Sequence, residues 1–326
     1  MSGSTAPADA LPDGIGLRHV VVEVPATTAN LGAGFDALAL ALDLKDRFEV
    51  DLVPGADLEV EVEGEGSAPG EISRGPDDRF VVALETGLRW ALGQLPSGLG
   101  WRIRMRNEIP LARGLGSSAA ATVGGLVAAD TFAGGRLNER RALTLAVELE
   151  GHPDNVAAAL LGGFVVTGMV EGRPETLRFD VPRDLRAVVF VPDLRLSTAT
   201  MRAVLPATVP HRDATFNVAR VALGVAGLAS GRVDMLRVLT EDRLHEPYRA
   251  EVYPALPGLI AAARGAGALG ACLSGSGSSV IAFGDSVHGL AAVESALLAA
   301  AAEAELSGSV RIVMPRNAGA VAVEAK

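Results

Sequence analysis

Between residues 101 and 106 the chain alternates cleanly. Trp101, Ile103 and Met105 fall on one side and Arg102, Arg104 and Arg106 on the other, which predicts a half-buried strand. Residues 48–53 and 58–62 alternate in the same way and predict two more strands. Shorter β-rich or apolar segments at 19–24, 164–167 and 187–192 add further strands, and 310–314 is expected to be the last one. Helical spacing marks 79–92, 137–150, 197–205, 214–228, 233–239 and 256–265. A short helix is expected at 157–161 and a long Ala-rich one at 287–305. The apolar run after Asp36 reads as buried, with Asp43, Asp46 and Arg47 returning the chain to solvent. Strands and helices mix without regular βα alternation, which predicts an α+β protein. Polar residues 172–184, with Pro174, Pro182 and three arginines, are the natural place for a domain boundary. The expected division is a disordered tail over 1–18, a first domain over 19–176 and a second over 177–326.

One stretch departs from these periodicities. Residues 110–121 read PLARGLGSSAAA. Gly114 and Gly116 allow a bend that a Cβ would obstruct, and Ser117 and Ser118 stand where a helix N-cap is expected. Residues 119–129 supply helix formers, weakened by Gly124 and Gly125. A glycine loop feeding a helix start gathers unpaired N–H groups and the positive dipole end at one point, which suits an anion, most often phosphate.

Composition narrows the chemistry. The chain of 326 residues is 49% hydrophobic and 21% charged, enough for about two globular domains. A net charge of -10 argues against nucleic-acid binding. Lys45 and Lys326 are the only lysines. The phosphate-loop signature GxxxxGK[ST] is therefore absent, and so is a protein-kinase lysine of the V-A-I-K type. Gly114 to Ala119 matches the loose dinucleotide pattern GxGxx[GA]. Pro110 and Arg113 separate it from the preceding strand, however, and Asp130 comes too early to hold a ribose. Cys272 is the single cysteine, which excludes an intrachain disulfide and paired-cysteine zinc sites. Residues 1–18 lack the basic start and apolar core of a signal peptide. The longest uncharged stretch, 265–284, carries too many Gly and Ser residues for a membrane helix. A cytoplasmic protein with no membrane partner is expected.

Three Gly/Ser-rich segments then require a joint explanation: PATTANLGAGFD at 25–36, PLARGLGSSAA at 110–120 and SGSGS at 274–278. In that order and spacing they resemble the three motifs of the GHMP kinase superfamily of small-molecule kinases. The resemblance runs from about Val20 to the C-terminus. It implies a two-domain fold: an N-terminal ribosomal-protein-S5-like α/β domain with a left-handed βαβ unit, and a C-terminal ferredoxin-like α/β domain. Within the superfamily the chain is most similar to the homoserine kinases. ANLGxGFD at 29–36, LEGHPDNVA at 149–157, STATMRAVLP at 197–206 and HEPYR at 245–249 carry that similarity. Ala33 departs from it, because these kinases commonly carry proline there.

The resemblance implies ATP and Mg²⁺ as cofactors and L-homoserine as the acceptor, phosphorylated on its side-chain hydroxyl in a step of threonine biosynthesis. It also implies a homodimer. Pro110, Leu111, Ala112, Arg113, Gly114, Leu115, Gly116, Ser117, Ser118, Ala119 and Ala120 would wrap the ATP phosphates. Ser118 and Glu150 would hold Mg²⁺. Asn30, Asp36, Thr198 and Arg202 would stand at the reacting centre. Asn30, Asp36, His152, Asp154, Asn155, Arg202 and Arg249 would bind the amino acid, with Asp154 and Asn155 on its ammonium group and the two arginines on its carboxylate. Residues 274–278 would buttress the phosphate loop. No lysine–aspartate pair of the mevalonate kinase type is present, so proton loss is expected to be late and without a dedicated base. Another small-molecule kinase of the superfamily, or a non-catalytic metabolite-binding member, are the alternatives.

Overall fold

The computed structural model describes residues 11, 14–55, 57–95, 98–285 and 287–326. Eleven strands form two sheets among these residues. The first sheet has seven strands. They are β1 (His19–Ala29), β2 (Leu38–Pro54), β3 (Leu58–Gly64), β4 (Leu99–Asn107), β5 (Phe164–Val170), β6 (Arg173–Phe179) and β11 (Val321–Ala325). The second sheet orders β10 (Gly308–Val313), β7 (Arg186–Pro192), β9 (Val280–Gly284) and β8 (Gly270–Leu273), all antiparallel.

The alternating segments fold as their pattern requires. Trp101, Ile103 and Met105 of β4 are buried, while Arg102, Arg104 and Arg106 face out and pair with glutamates of β2 and β3. β3 and β4 are parallel, joined by helix α1 (Arg79–Leu92), so this segment is a βαβ unit. Asp78 starts α1 by accepting the N–H groups of Phe80 and Val81, and the left-handed Gly93 ends it.

Helix α2 (Ser117–Phe132) packs on α1 and β1. Its two internal glycines serve that packing. A Cβ on Gly125 would lie 2.4 Å from the carbonyl oxygen of Phe80 on α1. The propensity lost to glycine is thus exchanged for helix contact. Helices α3 (Glu139–Glu150) and α4 (Asp154–Leu161) follow, and α4 lies against β1, β2 and β5. In the second half come α5 (Thr198–Ala203), α6 (His211–Ala229), a 3-10 turn at Val233–Met235, α7 (Leu236–Leu239) and α8 (Glu246–Arg249). Helices α9 (Leu256–Gly265) and α10 (Val287–Glu303) then pack on the four-stranded sheet.

Several expectations need correction. The first strand does not end at residue 24, because β1 continues to Ala29. The run after Asp36 and the segment 48–53 are one strand of 17 residues, held from end to end by β1 on one side and by β4 and β5 on the other. Residues 173–179 form β6, which pairs with β5 through a tight turn in which Glu171 and Gly172 both have positive φ. The strand over 310–314 is not the last. β11 follows it and returns to pair with β1 of the first sheet. The 1–18 tail lies mostly outside the described residues, but Ile15 is buried in the core and Gly16 donates to the carbonyl of Phe132. Among the described residues no helix is long and apolar enough to cross a membrane.

Asp46 also departs from expectation. It is 2% exposed, and its Oδ1 accepts the N–H groups of Glu108 and Ile109, just before the glycine loop. Burial raises its pKa from 3.8 to about 7, against the two N–H bonds. Between pH 4 and 7 the unfolded chain therefore ionises this group while the folded chain holds its proton, and stability falls as pH rises through that window. Asp46→Asn keeps the acceptor oxygen and has no proton to lose. It is expected to flatten the fall in melting temperature between pH 5 and 8, measured by thermal denaturation across that range.

Candidate active site

A cleft of about 850 Å³ opens where the 110–116 loop, the ends of α2 and α3 and the segments around Asp36, Thr198 and Gly275 meet. The glycine loop forms its floor. Gly114 and Gly116 have φ of 73° and 75°, and Gly116, not a serine, is the N-cap of α2. The expected serine cap fails because a left-handed glycine turns the chain first, which places Ser117 and Ser118 in the first helical turn. Gly116 has no side chain to cap with and the first turn of α2 carries no acidic residue. The first intrahelical bond runs from Ala120 N–H to Gly116 O, so the amides before it point into the opening.

Ser118 and Glu150 come together as expected. Ser118 Oγ donates to Glu150 at 2.8 and 2.9 Å from its two carboxylate oxygens. Thr122, one turn along α2, donates to Glu150 Oε1 at 2.7 Å, and Arg79 donates to the same oxygen at 2.8 Å. The Glu150 side chain is only 6% exposed. Sequence reading missed both partners. Thr122 had a signal, since it stands four residues after Ser118 on a helix. Arg79 had none, lying on another helix 71 residues away.

The 274–278 loop buttresses the 110–116 loop. Ser274 Oγ lies 2.7 Å from Gly114 O and 2.9 Å from Thr28 Oγ1, and Ser279 N–H donates to Arg113 O. Arg113, at the cleft wall, spends its guanidinium on the carbonyls of Leu111, Pro192 and Asp193. It ties the loop to the end of β7, and burial lowers its pKa.

The first motif supplies Asn30 and Asp36, both with positive φ. Asn30 Oδ1 accepts Asp36 N–H, and its Nδ2 donates to Gly275 O at 2.8 Å. Arg202 of α5 binds Asp36 through two parallel bonds of 2.8 and 2.9 Å, which raise its pKa. Thr198 Oγ1 lies 3.2 Å from Ser276 Oγ at the cleft edge. On the far side, Thr27 donates to Asn155 Oδ1, and Asp154 Oδ1 accepts both N–H groups of Asn155. Asp154 is 3% exposed, and its Oδ2 has no hydrogen bond among the described residues. His152 Nδ1 lies 3.2 Å from Asp154 Oδ1, and that carboxylate raises the imidazole's pKa despite its burial.

Arg249 does not line this cleft. It is 1% exposed and donates to Met201 O, Gly275 O and His245 Nδ1. Burial lowers its pKa to about 10. His245 Nε2 lies 2.9 Å from Gly32 O. Its Nδ1 must accept from Arg249, so Nε2 carries the proton and the ring is neutral. Burial lowers its pKa to about 4. Phe35 covers this network, stacked on His245 at 5.1 Å with the guanidinium carbons of Arg202 and Arg249 over its ring.

Comparison with known proteins places this geometry. Residues 79–163 match the GHMP kinases N terminal domain, and residues 225–309 match the GHMP kinases C terminal domain. The homoserine kinase of Carboxydothermus hydrogenoformans is 46% identical over 81% of this chain and 84% of its own. That of Moorella thermoacetica is 42% identical over 93% and 99%. The chain belongs to the homoserine kinase family of GHMP kinases. The crystal structure of homoserine kinase from Cytophaga hutchinsonii superposes with a TM-score of 0.83 at 27% identity, covering 94% of this chain and 98% of that one. The two-domain GHMP kinase fold expected from the three motifs is therefore the fold observed.

Proposed function

We propose that this chain transfers the γ-phosphoryl group of ATP to the side-chain hydroxyl of L-homoserine, giving O-phospho-L-homoserine and ADP. The observation that carries the proposal is a juxtaposition in one cleft. An amide-lined helix start with the Ser118–Glu150 pair shares the cleft with Asn155 and an arginine, Arg202, and the carboxylate of Asp154 is buried directly behind Asn155, a set of the kinds a free amino acid requires. The open start of α2 suits the triphosphate, because its amides meet neither a capping side chain nor an acidic residue. Ser118 and Glu150 fit Mg²⁺, a hard cation that takes hydroxyl and carboxylate oxygens. When bound there it supplies Lewis-acid stabilisation of the phosphate oxygens.

The remaining work belongs to side chains. The Asp154 oxygen without a hydrogen bond accepts the substrate ammonium. Arg202 takes the substrate carboxylate alongside Asp36. Arg249 sits behind these groups and acts through Gly275 and His245 rather than by reaching into the cleft. Thr198 stands at the edge where the reacting hydroxyl enters. Both oxygens of Asp36 are occupied by Arg202, which supports transfer without a dedicated base. Catalysis then rests on positioning and charge stabilisation. A homodimer in the cytoplasm, both implied by the family resemblance, belongs to the same reading.

An ADP-release assay with homoserine, mevalonate and galactose side by side tests this. Turnover with homoserine alone is expected. Turnover confined to mevalonate or galactose would refute the assignment.

A further inference from the structure

Four basic side chains line the cleft among the described residues: Arg79, Arg113, Arg202 and His152. Three have partners other than the Glu150 carboxylate. Arg113 is fixed on three carbonyl oxygens, Arg202 on both oxygens of Asp36, and His152 beside Asp154. No lysine lines the cleft.

Arg79 differs. Its guanidinium donates to Glu150 Oε1 at 2.8 Å, with a longer bond of 3.3 Å to Leu149 O. Ser118 and Thr122 donate to that same carboxylate. The Arg79 side chain is 49% exposed, while Glu150 is nearly buried. Its backbone is the first position of α1, held by the Asp78 cap. The anchor is therefore fixed while the side chain is half exposed.

Glu150 is also the carboxylate that fits Mg²⁺, on the reading given above. A divalent cation on that group and a guanidinium 2.8 Å from one of its oxygens repel each other strongly. Each therefore weakens the hold of the other on the carboxylate. We propose that Arg79 is an exchangeable counter-ion. It neutralises Glu150 while the cleft is empty, and it is released onto the phosphates of the nucleotide when the metal takes the carboxylate. The exchange keeps a cation beside Glu150 throughout, singly charged before the metal binds and doubly charged after. It also delivers a guanidinium to the phosphate chain only when the metal is bound.

The test uses Mn²⁺ as probe, with free ion followed by electron paramagnetic resonance on the full chain without nucleotide. Arg79→Gln is expected to bind Mn²⁺ roughly fivefold more tightly than the parent, the scale of one half-exposed ion pair. Arg79→Lys keeps the competing charge and should match the parent. In an Glu150→Gln background the Arg79→Gln change should make no difference. Calorimetry with Mg²⁺ present supplies the second arm, in which Arg79→Gln should weaken ATP roughly tenfold and adenosine hardly at all. Equal or weaker Mn²⁺ binding in Arg79→Gln would overturn the exchange. Equal loss of ATP and adenosine would overturn the delivery to phosphate. If Arg79→Gln lowers the melting temperature, the comparison is made between Arg79→Lys and Arg79→Met. If the parent fails to phosphorylate homoserine, the functional reading fails while the Mn²⁺ result still decides this one.

Discussion

Glu150→Gln is expected to lower turnover by about 10²–10³-fold while leaving the fold intact. The substitution is isosteric, and an amide oxygen can still accept from Thr122 and Arg79, which now meet on Oε1. The half-exposed ion pair with Arg79 adds at most about 1 kcal/mol to stability, so the melting temperature should change little. What disappears is the negative charge beside Ser118. An amide is a poor ligand for Mg²⁺, and Lewis-acid stabilisation is worth several kcal/mol at about 1.4 kcal/mol per tenfold in rate. Homoserine affinity should survive, because Asp154 and Arg202 lie on other elements. Steady-state ADP release at saturating Mg²⁺, paired with a thermal melt, checks both halves. A kcat within a few-fold of the parent would remove Glu150 from the metal site.

The second large effect is structural. Gly114→Ala should destabilise the protein by about 2–5 kcal/mol and strip the loop of ATP affinity. Its φ of 73° strains any residue with a Cβ, and that Cβ would lie 2.0 Å from Ser274 O and 2.7 Å from Gly277 N. These are backbone atoms, so no rotamer change relieves the contact. Nor can the two loops part easily, because Ser274 Oγ lies 2.7 Å from Gly114 O and Ser279 N–H is bonded to Arg113 O. Gly134→Ala separates strain from collision. It has the same φ of 73° with nothing within 4 Å, so it should lose only about 1–2 kcal/mol. Denaturant midpoints of the two variants, with ATP titrations on each, give the comparison. Equal losses would show that the close approach of the two loops is unimportant.

Much of the architecture is legible in the chain. The bounds read for α1 are those observed, and Trp101, Ile103 and Met105 are buried as their alternation predicts. The three glycine segments were visible as motifs, and the fold brings them to one place. The errors share a cause. β11 is five residues long, too short for its own pattern to mark it; it exists because β1 offers an edge some 300 residues earlier in the chain. β6 carries Pro174 and three charged residues and reads as a linker, yet an outer strand tolerates both. Asp46 reads as a solvated turn residue because nothing local announces that Glu108 and Ile109 will direct two amides at it.

The same division runs through the cleft. Sequence alone marked residues 110–120 as a glycine turn feeding a helix start, a form suited to an anion, since glycine readily takes the φ near 75° found at Gly114 and Gly116 and no lysine is available to replace the backbone. It also determined which polar residues accompany that loop. Tertiary structure alone decided their partners. It set Arg202 on Asp36 and withdrew Arg249 to a buried bond network. It also placed Arg79 on the carboxylate that Ser118 requires. Backbone conformation is governed by the residue and its neighbours, whereas ion pairs depend on distances between distant elements, which packing of the two cores sets.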